Sequence, residues 1–372
     1  MADAAVTETA GRLARAQELT ARAGLDALLV TPGPDLRYLT GYEAVPLERL
    51  TCLIVGAHGP AQVVVPLLER AAAQASPIGA EDIAIHTWGE TDDPYALVAG
   101  LLPAARAVAL DDHMWAAKVL ALRAAMPAAE QRAGGEVLRE LRMRKTPAEV
   151  AALRAAGGAI DAVHARGHEW LKPGRTEAEV GADIADAILA TGHARVDFVI
   201  VASGPNGASP HHEVSDRVIA PGDAVVVDIG GTMPSGYCSD STRVYAVGDP
   251  TADFLAAYQV LQSAQEAACL WARPGVTCAS VDAAARNVIE AAGYGELFVH
   301  RTGHGIGLET HEDPYIVTGN DLVLEPGMAF SVEPGIYQPG SYGARIEDIL
   351  VCTDDGAERL NQRPRELVVL EA

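Results

Sequence analysis

The stretch Trp170-Leu171-Lys172-Pro173-Gly174-Arg175-Thr176 occurs twice in this chain of 372 residues. It returns 101 residues further on as Trp271-Ala272-Arg273-Pro274-Gly275-Val276-Thr277. Beyond each copy, the strand-like run from Pro221 to Asp228 returns as the run from Pro326 to Glu333. Chance similarity in an alanine-rich chain would explain matching helices, but not matching Trp, Pro, Gly and acidic positions. We therefore predict two copies of a helix–helix–strand unit, facing each other across a pseudo-two-fold axis.

Each copy supplies two carboxylates, one on each side of a hairpin turn. These four residues are Asp228, Asp240, Glu333 and Glu347. A carboxylate at the end of an apolar strand is costly to bury unless a cation accompanies it. Two nearby arginines, Arg243 and Arg345, are too few to neutralise four such groups. One of these acids alone would most often be a solvated turn residue, but four at matching places predict a paired site for divalent metal ions.

The nitrogen ligand is predicted from a glycine-rich segment. His300 and His304 have the spacing of a zinc-binding helix, but Gly303 and Gly305 disfavour a helix there and so exclude the HExxH type of protease. A histidine in an apolar strand is commonly a hydrogen-bonded core residue. Because the glycines allow the backbone to approach closely and the acids need a nitrogen partner, we interpret His304 as a metal ligand.

Three further histidines lie in loops of the two copies. His211 corresponds to His311 in the repeat, 100 residues apart, which predicts a site role for both residues. His212 adjoins His211 and receives no predicted role.

The first part of the chain has the pattern of an α/β unit. Arg12 to Ala23 has helical spacing, and Leu25 to Val30, Thr51 to Val55 and Gln62 to Val65 have strand patterns. We find no phosphate loop and no cluster of His or acidic residues there. Gly134-Gly135 suggests a boundary, which predicts domains of residues 1–133 and 134–372.

Composition excludes several classes of partner. The formal net charge of −22 disfavours binding to nucleic acid or to an anionic membrane surface. The five cysteines form no CxxC pair and indicate reduced thiols. The first residues lack a basic start followed by an apolar run, and no apolar stretch is long enough to span a bilayer. We expect a soluble cytoplasmic protein.

These motifs resemble those of the Xaa-Pro peptidases, which include proline dipeptidase, aminopeptidase P and the wider pita-bread metallopeptidases. The resemblance covers about residues 137 to 372 and rests on Val227-Asp228-Ile229-Gly230, Ser239-Asp240-Ser241-Thr242-Arg243, the stretch from His300 to His311, Ser331-Val332-Glu333-Pro334-Gly335 and Arg345-Ile346-Glu347-Asp348. Leu28-Leu29-Val30-Thr31 and Arg37-Tyr38-Leu39-Thr40-Gly41 are similar to the creatinase/prolidase N-terminal domain. The implied fold is an α/β N-terminal domain followed by an α+β pita-bread catalytic domain with an internal pseudo-two-fold repeat.

The resemblance also implies a role for each site residue. Asp228 would hold one of two divalent metal ions, His304 and Glu333 the other, and Asp240 and Glu347 would bridge them. Mn²⁺ is the first expectation for the ions, with Co²⁺, Zn²⁺ or Fe²⁺ as alternatives. The catalytic and substrate-contacting positions are Glu333, His211, His300, His311 and Arg345. Creatinase shares the fold but lacks the metal ligands, which argues against that activity.

The implied activity is hydrolysis of the Xaa-Pro bond of a dipeptide or short peptide by a homodimeric enzyme. Aminopeptidase P acting on longer peptides remains an alternative, as does a carbon–nitrogen hydrolase acting on a small modified amino acid. A metal-free binding module conflicts with the full ligand set. A mononuclear iron oxygenase would need two histidines and one carboxylate, and the excess of carboxylates disfavours it.

Overall fold

The computed structural model describes residues 2–80 and 83–372, with the side chains from residue 8 onward. Contacts divide the chain into two compact units, Met1–Arg142 and Met143–Ala372. The domain boundary that we expect between residues 133 and 134 stays a prediction. The helix that follows Gly134 belongs to the first unit by its contacts.

The first unit is a six-stranded mixed sheet with helices. Its helices are α1 (Ala2–Arg22), α2 (Pro34–Thr40), α3 (Arg70–Ala75), α4 (Pro94–Leu101), α5 (Ala116–Ala125) and α6 (Gly135–Arg142). Its strands are β1 (Ala27–Val30), β2 (Cys52–Gly56), β3 (Gln62–Pro66), β4 (Ala84–Trp88), β5 (Ala107–Leu110) and β6 (Glu130–Ala133). The strand order is β4-β3-β2-β1-β5-β6, and β1 is antiparallel to β2 but parallel to β5. The predicted α/β character is confirmed.

The second unit combines helices with three antiparallel or mixed sheets. Its helices are α7 (Pro147–Ala165), α8 (Gly167–Trp170), α9 (Glu177–Ala190), α10 (Ala252–Trp271) and α11 (Cys278–Ala291). Its strands are β7 (Arg195–Ser203), β8 (Ala224–Thr232), β9 (Cys238–Val247), β10 (Gly303–Gly305), β11 (Glu312–Ile316), β12 (Ala329–Val332), β13 (Gly335–Gln338), β14 (Tyr342–Arg345), β15 (Asp348–Cys352), β16 (Ala357–Arg359) and β17 (Val368–Leu370). The sheet orders are β17-β9-β8-β7, β11-β10-β12-β15-β16 and β13-β14.

The internal repeat is visible in matching hydrogen bonds. Gly174 N donates to Ile219 O at 2.9 Å, and Gly275 N donates to Leu324 O at the same distance. The helices that follow, α9 and α11, have 14 residues each and begin after a capping threonine. The side chains of Thr176 and Thr277 each accept a backbone N–H three residues later, as an N-cap residue does. Both copies therefore fold in the same local way, and the predicted repeat is confirmed.

The core of the second unit lies between helices and the sheets that carry the acidic residues. Leu261 of α10, Ile289 of α11 and Phe330 of β12 are fully buried in one cluster. A second cluster packs Val180 and Ile184 of α9 against β8. The other face of β12 and β15 is also packed, because Ala329, Ile349 and Val351 form a further cluster with Leu153 of α7. Within residues 2–80 and 83–372, no helix is both long enough and apolar enough to cross a membrane.

Candidate metal centre

One cavity of the second unit, of about 640 Å³, collects the residues predicted from the sequence. Every predicted site residue lines it: Asp228, Asp240, Glu333, Glu347, His211, His300, His304, His311 and Arg345. The remaining lining residues are Asp197, Phe198, Ile200, Pro210, Arg301 and Thr310. The volume is in the range of ordinary small-molecule sites.

The pairing of β8 with β9 places two acids on one face of the sheet. Asp228 pairs with Thr242, and Gly230 pairs with Asp240, so Asp228 and Asp240 are diagonal neighbours. Both carboxylates are buried. A β-carbon on Gly230 would overlap the ring of Phe198, so glycine is needed opposite Asp240.

The second pair of acids comes from the equivalent place in the other copy. Val332 pairs with Asp348, so Glu333 leaves β12 where Glu347 enters β15. Glu347 is buried, and the Glu333 side chain is 15% exposed. Thr242 Oγ1 donates to Glu347 Oε2 at 2.9 Å and so connects the two hairpins.

His304 lies in the middle of β10, a three-residue strand flanked by other backbone on both sides. A β-carbon on Gly303 would overlap the carbonyl oxygen of Ser331, and one on Gly305 would overlap that of Asp313. These two glycines therefore allow the close approach that the sequence suggested. His304 Nδ1 lies 3.1 Å from Gly305 O, and Nε2 lies 2.9 Å from Glu333 Oε1 and 3.7 Å from Asp240 Oδ2.

These residues fit a divalent cation. Asp240, His304 and Glu347 each offer a ligand atom within 4.8 Å of the other two. Within the part of the chain that the structure describes, the buried atoms Asp228 Oδ1 and Glu347 Oε1 have no hydrogen-bond partner. Buried carboxylate oxygens without partners are costly, and a cation between them would satisfy them. The contact of Nδ1 with Gly305 O orients Nε2 towards the acids, as is usual for a metal-binding histidine.

The protonation of the acids reflects their crowding. Burial raises the pKa of Asp240 well above its usual value, and the charge of Asp228 raises it further. Burial likewise raises the pKa of Glu347, with a further contribution from Asp240. Burial also acts to raise the pKa of Glu333, but the charge and hydrogen bond of His304 outweigh it and lower that pKa. Protein groups alone therefore do not keep all four acids ionised.

Arg345 is committed to neighbouring protein groups. Its Nη2 forms an ion pair with Asp228 Oδ2, and its Nη1 donates to the Tyr337 hydroxyl at 2.7 Å. That hydroxyl lies 2.8 Å from His300 Nε2. Burial raises the pKa of Tyr337 to about 12, so the phenol stays protonated. A chain of contacts thus runs from His300 through Tyr337 and Arg345 to Asp228.

Tyr337 and Thr242 are two site residues that sequence reasoning missed. Thr242 had a usable signal, because it lies two positions after Asp240 on a strand and therefore faces the same way. Tyr337 had none, since its place depends on how β13 pairs with β14.

The three loop histidines have different surroundings. His311 lines the cavity with part of its surface exposed, and its ring lies 3.9 Å, centroid to centroid, from the ring of His304. Its partial burial, together with the neighbouring His304 and Arg301, lowers its pKa to about 4. His211 lines the cavity, whereas His212 Nε2 lies 2.8 Å from buried Glu177 Oε2.

Acidic oxygens and one imidazole nitrogen, gathered in a cavity between two hairpins, are the donor set of a metal-dependent hydrolase. The family model of metallopeptidase family M24 matches residues 151–354, and that of the creatinase/prolidase N-terminal domain matches residues 12–144. The chain belongs to metallopeptidase family M24 and is a metal-dependent peptidase.

Relatives of known name match along almost the whole chain. The probable dipeptidase PepE of Mycobacterium tuberculosis is 56% identical over 362 residues, which are 97% of this chain and 96% of that protein. The Xaa-Pro dipeptidase of Lactobacillus delbrueckii subsp. lactis is 37% identical over 358 residues, covering 93% of this chain and 95% of that one.

Solved structures agree with this assignment. The dipeptidase PepE from Mycobacterium ulcerans superimposes with a TM-score of 0.96 at 54% identity and covers 99% of both chains. The prolidase from Thermococcus sibiricus gives a TM-score of 0.90 at 36% identity and covers 96% of this chain and 98% of that one. The predicted pita-bread fold is therefore confirmed.

Proposed function

We propose that this protein is a dinuclear metal-dependent Xaa-Pro dipeptidase. The observation that carries the proposal is the meeting of four acids and His304 in one cavity, where two buried carboxylate oxygens have no partner among the described residues. The names of the relatives, which include dipeptidases and an Xaa-Pro dipeptidase of nearly the same length, support the substrate class.

Two divalent ions, with Mn²⁺ as the first expectation, would be held by Asp228 on one side and by His304 and Glu333 on the other. Asp240 and Glu347 would lie between the two ions. When bound, such ions activate water and polarise the scissile carbonyl group.

Glu333 is the residue placed to move a proton. Its Oε1 accepts a hydrogen bond from Ser331 Oγ at 2.8 Å, and the same atom faces His304 Nε2. A carboxylate held in this way can take a proton at an oxygen atom and deliver it to the leaving imide nitrogen.

His311 and His300 are the candidates for stabilising negative charge on the carbonyl oxygen. With a pKa of about 4, His311 is neutral at pH 7 and offers one ring N–H as a donor. Burial also lowers the pKa of His300. Its ring nitrogens already contact Arg301 O and the Tyr337 hydroxyl, so His311 is the better placed of the two donors. A donor that acts only in the transition state is typically worth about 3–4 kcal/mol.

An apolar wall beside the acids suits the proline ring. Ile200 pairs with Asp228 across the β7–β8 ladder, and Phe198 pairs with Gly230, so both side chains share the face of the acids. Pro210 also lines the cavity. A prolyl imide has no N–H, so recognition has to come from contact with the ring rather than from a backbone hydrogen bond.

The substrate class is tested by comparing Ala-Pro with Ala-Ala, acetyl-Ala-Pro and Ala-Pro-Ala, each with and without added Mn²⁺. We expect Mn²⁺-dependent cleavage that is fastest on Ala-Pro. Equal rates on Ala-Pro and Ala-Ala, or on acetyl-Ala-Pro, would contradict the proposal. Faster cleavage of Ala-Pro-Ala would assign the chain to aminopeptidase P instead.

We also propose that the enzyme works as a homodimer in the cytoplasm. Light scattering of the purified protein tests the first point, because a monomeric mass would contradict it. Fractionation of the source cells tests the second.

A further inference from the structure

Two arginines line the cavity, and they differ in what they contact. Arg345 is buried, and its guanidinium forms an ion pair with Asp228 and donates hydrogen bonds to Tyr337 and Thr242. Arg301 is only partly buried, and within residues 2–80 and 83–372 its guanidinium has no acidic partner. A cation without a counter-ion at the wall of an enzyme cavity is available to bind an anion.

The guanidinium of Arg301 is nevertheless held in place. Its central carbon lies 4.5 Å from the centre of the Tyr315 ring, over the aromatic face. Stacking of this kind is attractive, and it limits the motion of the side chain while leaving the edge of the guanidinium free. That edge is the part that forms paired hydrogen bonds with a carboxylate.

Arg301 is also close to the reacting groups. It lines the same cavity as His304 and His311, whose rings lie against each other. In a dipeptide, the free carboxylate belongs to the residue directly after the scissile bond, so the group that binds it has to lie in the same cavity as the metal ligands. Arg301 meets that condition.

We propose that Arg301, held by Tyr315, binds the C-terminal carboxylate of the substrate and thereby selects dipeptides over longer peptides. The inference rests on the proposed dipeptidase function and adds to it the residue that discriminates dipeptides from longer peptides. In a longer peptide the same position carries a neutral amide, which gives the guanidinium a weaker partner.

The test compares Ala-Pro with its C-terminal amide, and Ala-Leu with its amide, in the Mn²⁺-loaded enzyme. We expect the unmodified enzyme to prefer the free acid in both pairs. In Arg301→Met, kcat/KM on Ala-Pro should fall about 10- to 100-fold, as for the loss of charge-assisted hydrogen bonds, and mainly through KM. The rate on the amide should change less than about 3-fold. Arg301→Lys, which keeps the charge but not the paired donors, should lie between the two.

Arg273→Met is the matched control. Arg273 stacks on Trp271 at 4.6 Å in the same way but does not line the cavity, so its removal should leave the preference for the acid unchanged. Melting temperature and metal content, measured on all variants, show whether Arg301→Met is folded and loaded.

Each outcome bears on the inference. Equal losses on acid and amide in Arg301→Met, or no loss on either, would overturn it and leave the Xaa-Pro activity standing. If the enzyme prefers the free acids and Arg301→Met removes that preference, but Ala-Pro is cleaved no faster than Ala-Leu, the inference stands and the proposed proline specificity is wrong. An unmodified enzyme that cleaves acid and amide equally would also overturn the inference.

Discussion

Asp240 of β9 lies opposite Gly230 of β8 and is buried close to other acidic side chains. Asp240→Asn keeps the shape of the side chain and removes a charged ligand that we propose to serve both ions. We expect bound metal and activity to be lost together, with kcat/KM reduced more than about 100-fold. Elemental analysis and kinetics on the same preparation measure both quantities.

The control for this change is Asp355→Asn, which alters an exposed acid and should have no effect. Because Asp240→Asn also relieves repulsion among the acids, the metal-free variant should melt no lower than the metal-free parent enzyme. Full activity in Asp240→Asn, with metal absent, would rule out the proposed centre.

His304 and His311 have adjacent rings but different proposed roles. Nε2 of His304 faces Glu333 and Asp240, so His304→Ala should lose bound metal. His311 opens to the cavity, so His311→Ala should keep its metal and fold normally. It should lose mostly kcat, by about 100-fold, because an oxyanion contact forms only in the transition state.

Metal content, melting temperature and kcat distinguish the possibilities for these two variants. If His311 merely packs against its neighbours, His311→Ala will melt at a lower temperature and keep its kcat. Loss of metal from His311→Ala would equally remove its proposed catalytic role.

At the scale of secondary structure, Arg243 joins two of the strands that carry acids. Its Nη1 donates to Thr242 O at 2.8 Å and Glu347 O at 2.6 Å, and its Nη2 donates to Asp348 Oδ1 at 2.6 Å. Lysine cannot make these contacts together. Arg243→Lys should therefore lower the free energy of unfolding by about 3 kcal/mol and weaken Mn²⁺ binding about 10- to 100-fold.

Chemical denaturation of the metal-free protein and calorimetric titration with Mn²⁺ measure these two effects separately. Arg154→Lys is the control, because Arg154 pairs with Glu358 on the surface, where such pairs contribute little. If Arg243→Lys lost stability but bound Mn²⁺ as tightly as the parent enzyme, Arg243 would be structural only.

The contact of α7 with β9 depends on a neutral histidine. His164 Nε2 lies 3.1 Å from Ser241 O, and burial, with a smaller effect of Arg243, lowers the pKa of His164 from 6.5 to about 3. Above pH 6.5, His164 is neutral in both the folded and the unfolded state. Below pH 6.5, His164 binds a proton in the unfolded chain but not in the folded chain. The free energy of unfolding therefore falls as the pH falls towards 3.

Because of His164, we expect the free energy of unfolding to fall by about 2 kcal/mol between pH 7 and pH 5. Urea unfolding of the metal-free enzyme and of His164→Gln measures it, because the other titrating groups cancel in the comparison. Parallel pH dependence in the two proteins would show that His164 does not titrate in this way.

Helices and hairpins are predictable from the sequence where the residues that determine them are close together in the chain. Thr146 and Glu149 have the sequence spacing of a capping box, which is a local signal for the start of a helix, and the structure forms that capping box at the start of α7. The β8–β9 hairpin was predicted because an apolar run, a turn and a second run adjoin in sequence. Gly134-Gly135 predicts a domain boundary from its composition, whereas the hydrogen bond from Gly134 N to Leu110 O is a long-range contact that short-range patterns do not reveal.

For the whole second unit, the repeat explains why a site assembled from distant residues was visible in the sequence. Matching acids at matching places in the two copies implied that they meet. What the repeat did not reveal is the detail within the cavity. Tyr337, for example, reaches Arg345 and His300 only through the pairing of β13 with β14.

The site takes its acids from both copies of the repeat: Asp228 and Asp240 come from the first, and Glu333 and Glu347 from the second. A bound ion would therefore act as a reversible cross-link between the halves. Amide hydrogens of β8 and β12 should exchange with solvent at one common slow rate in the Mn²⁺-loaded enzyme, because neither half can open alone. After chelation, the two strands should exchange at different rates, each set by its own half.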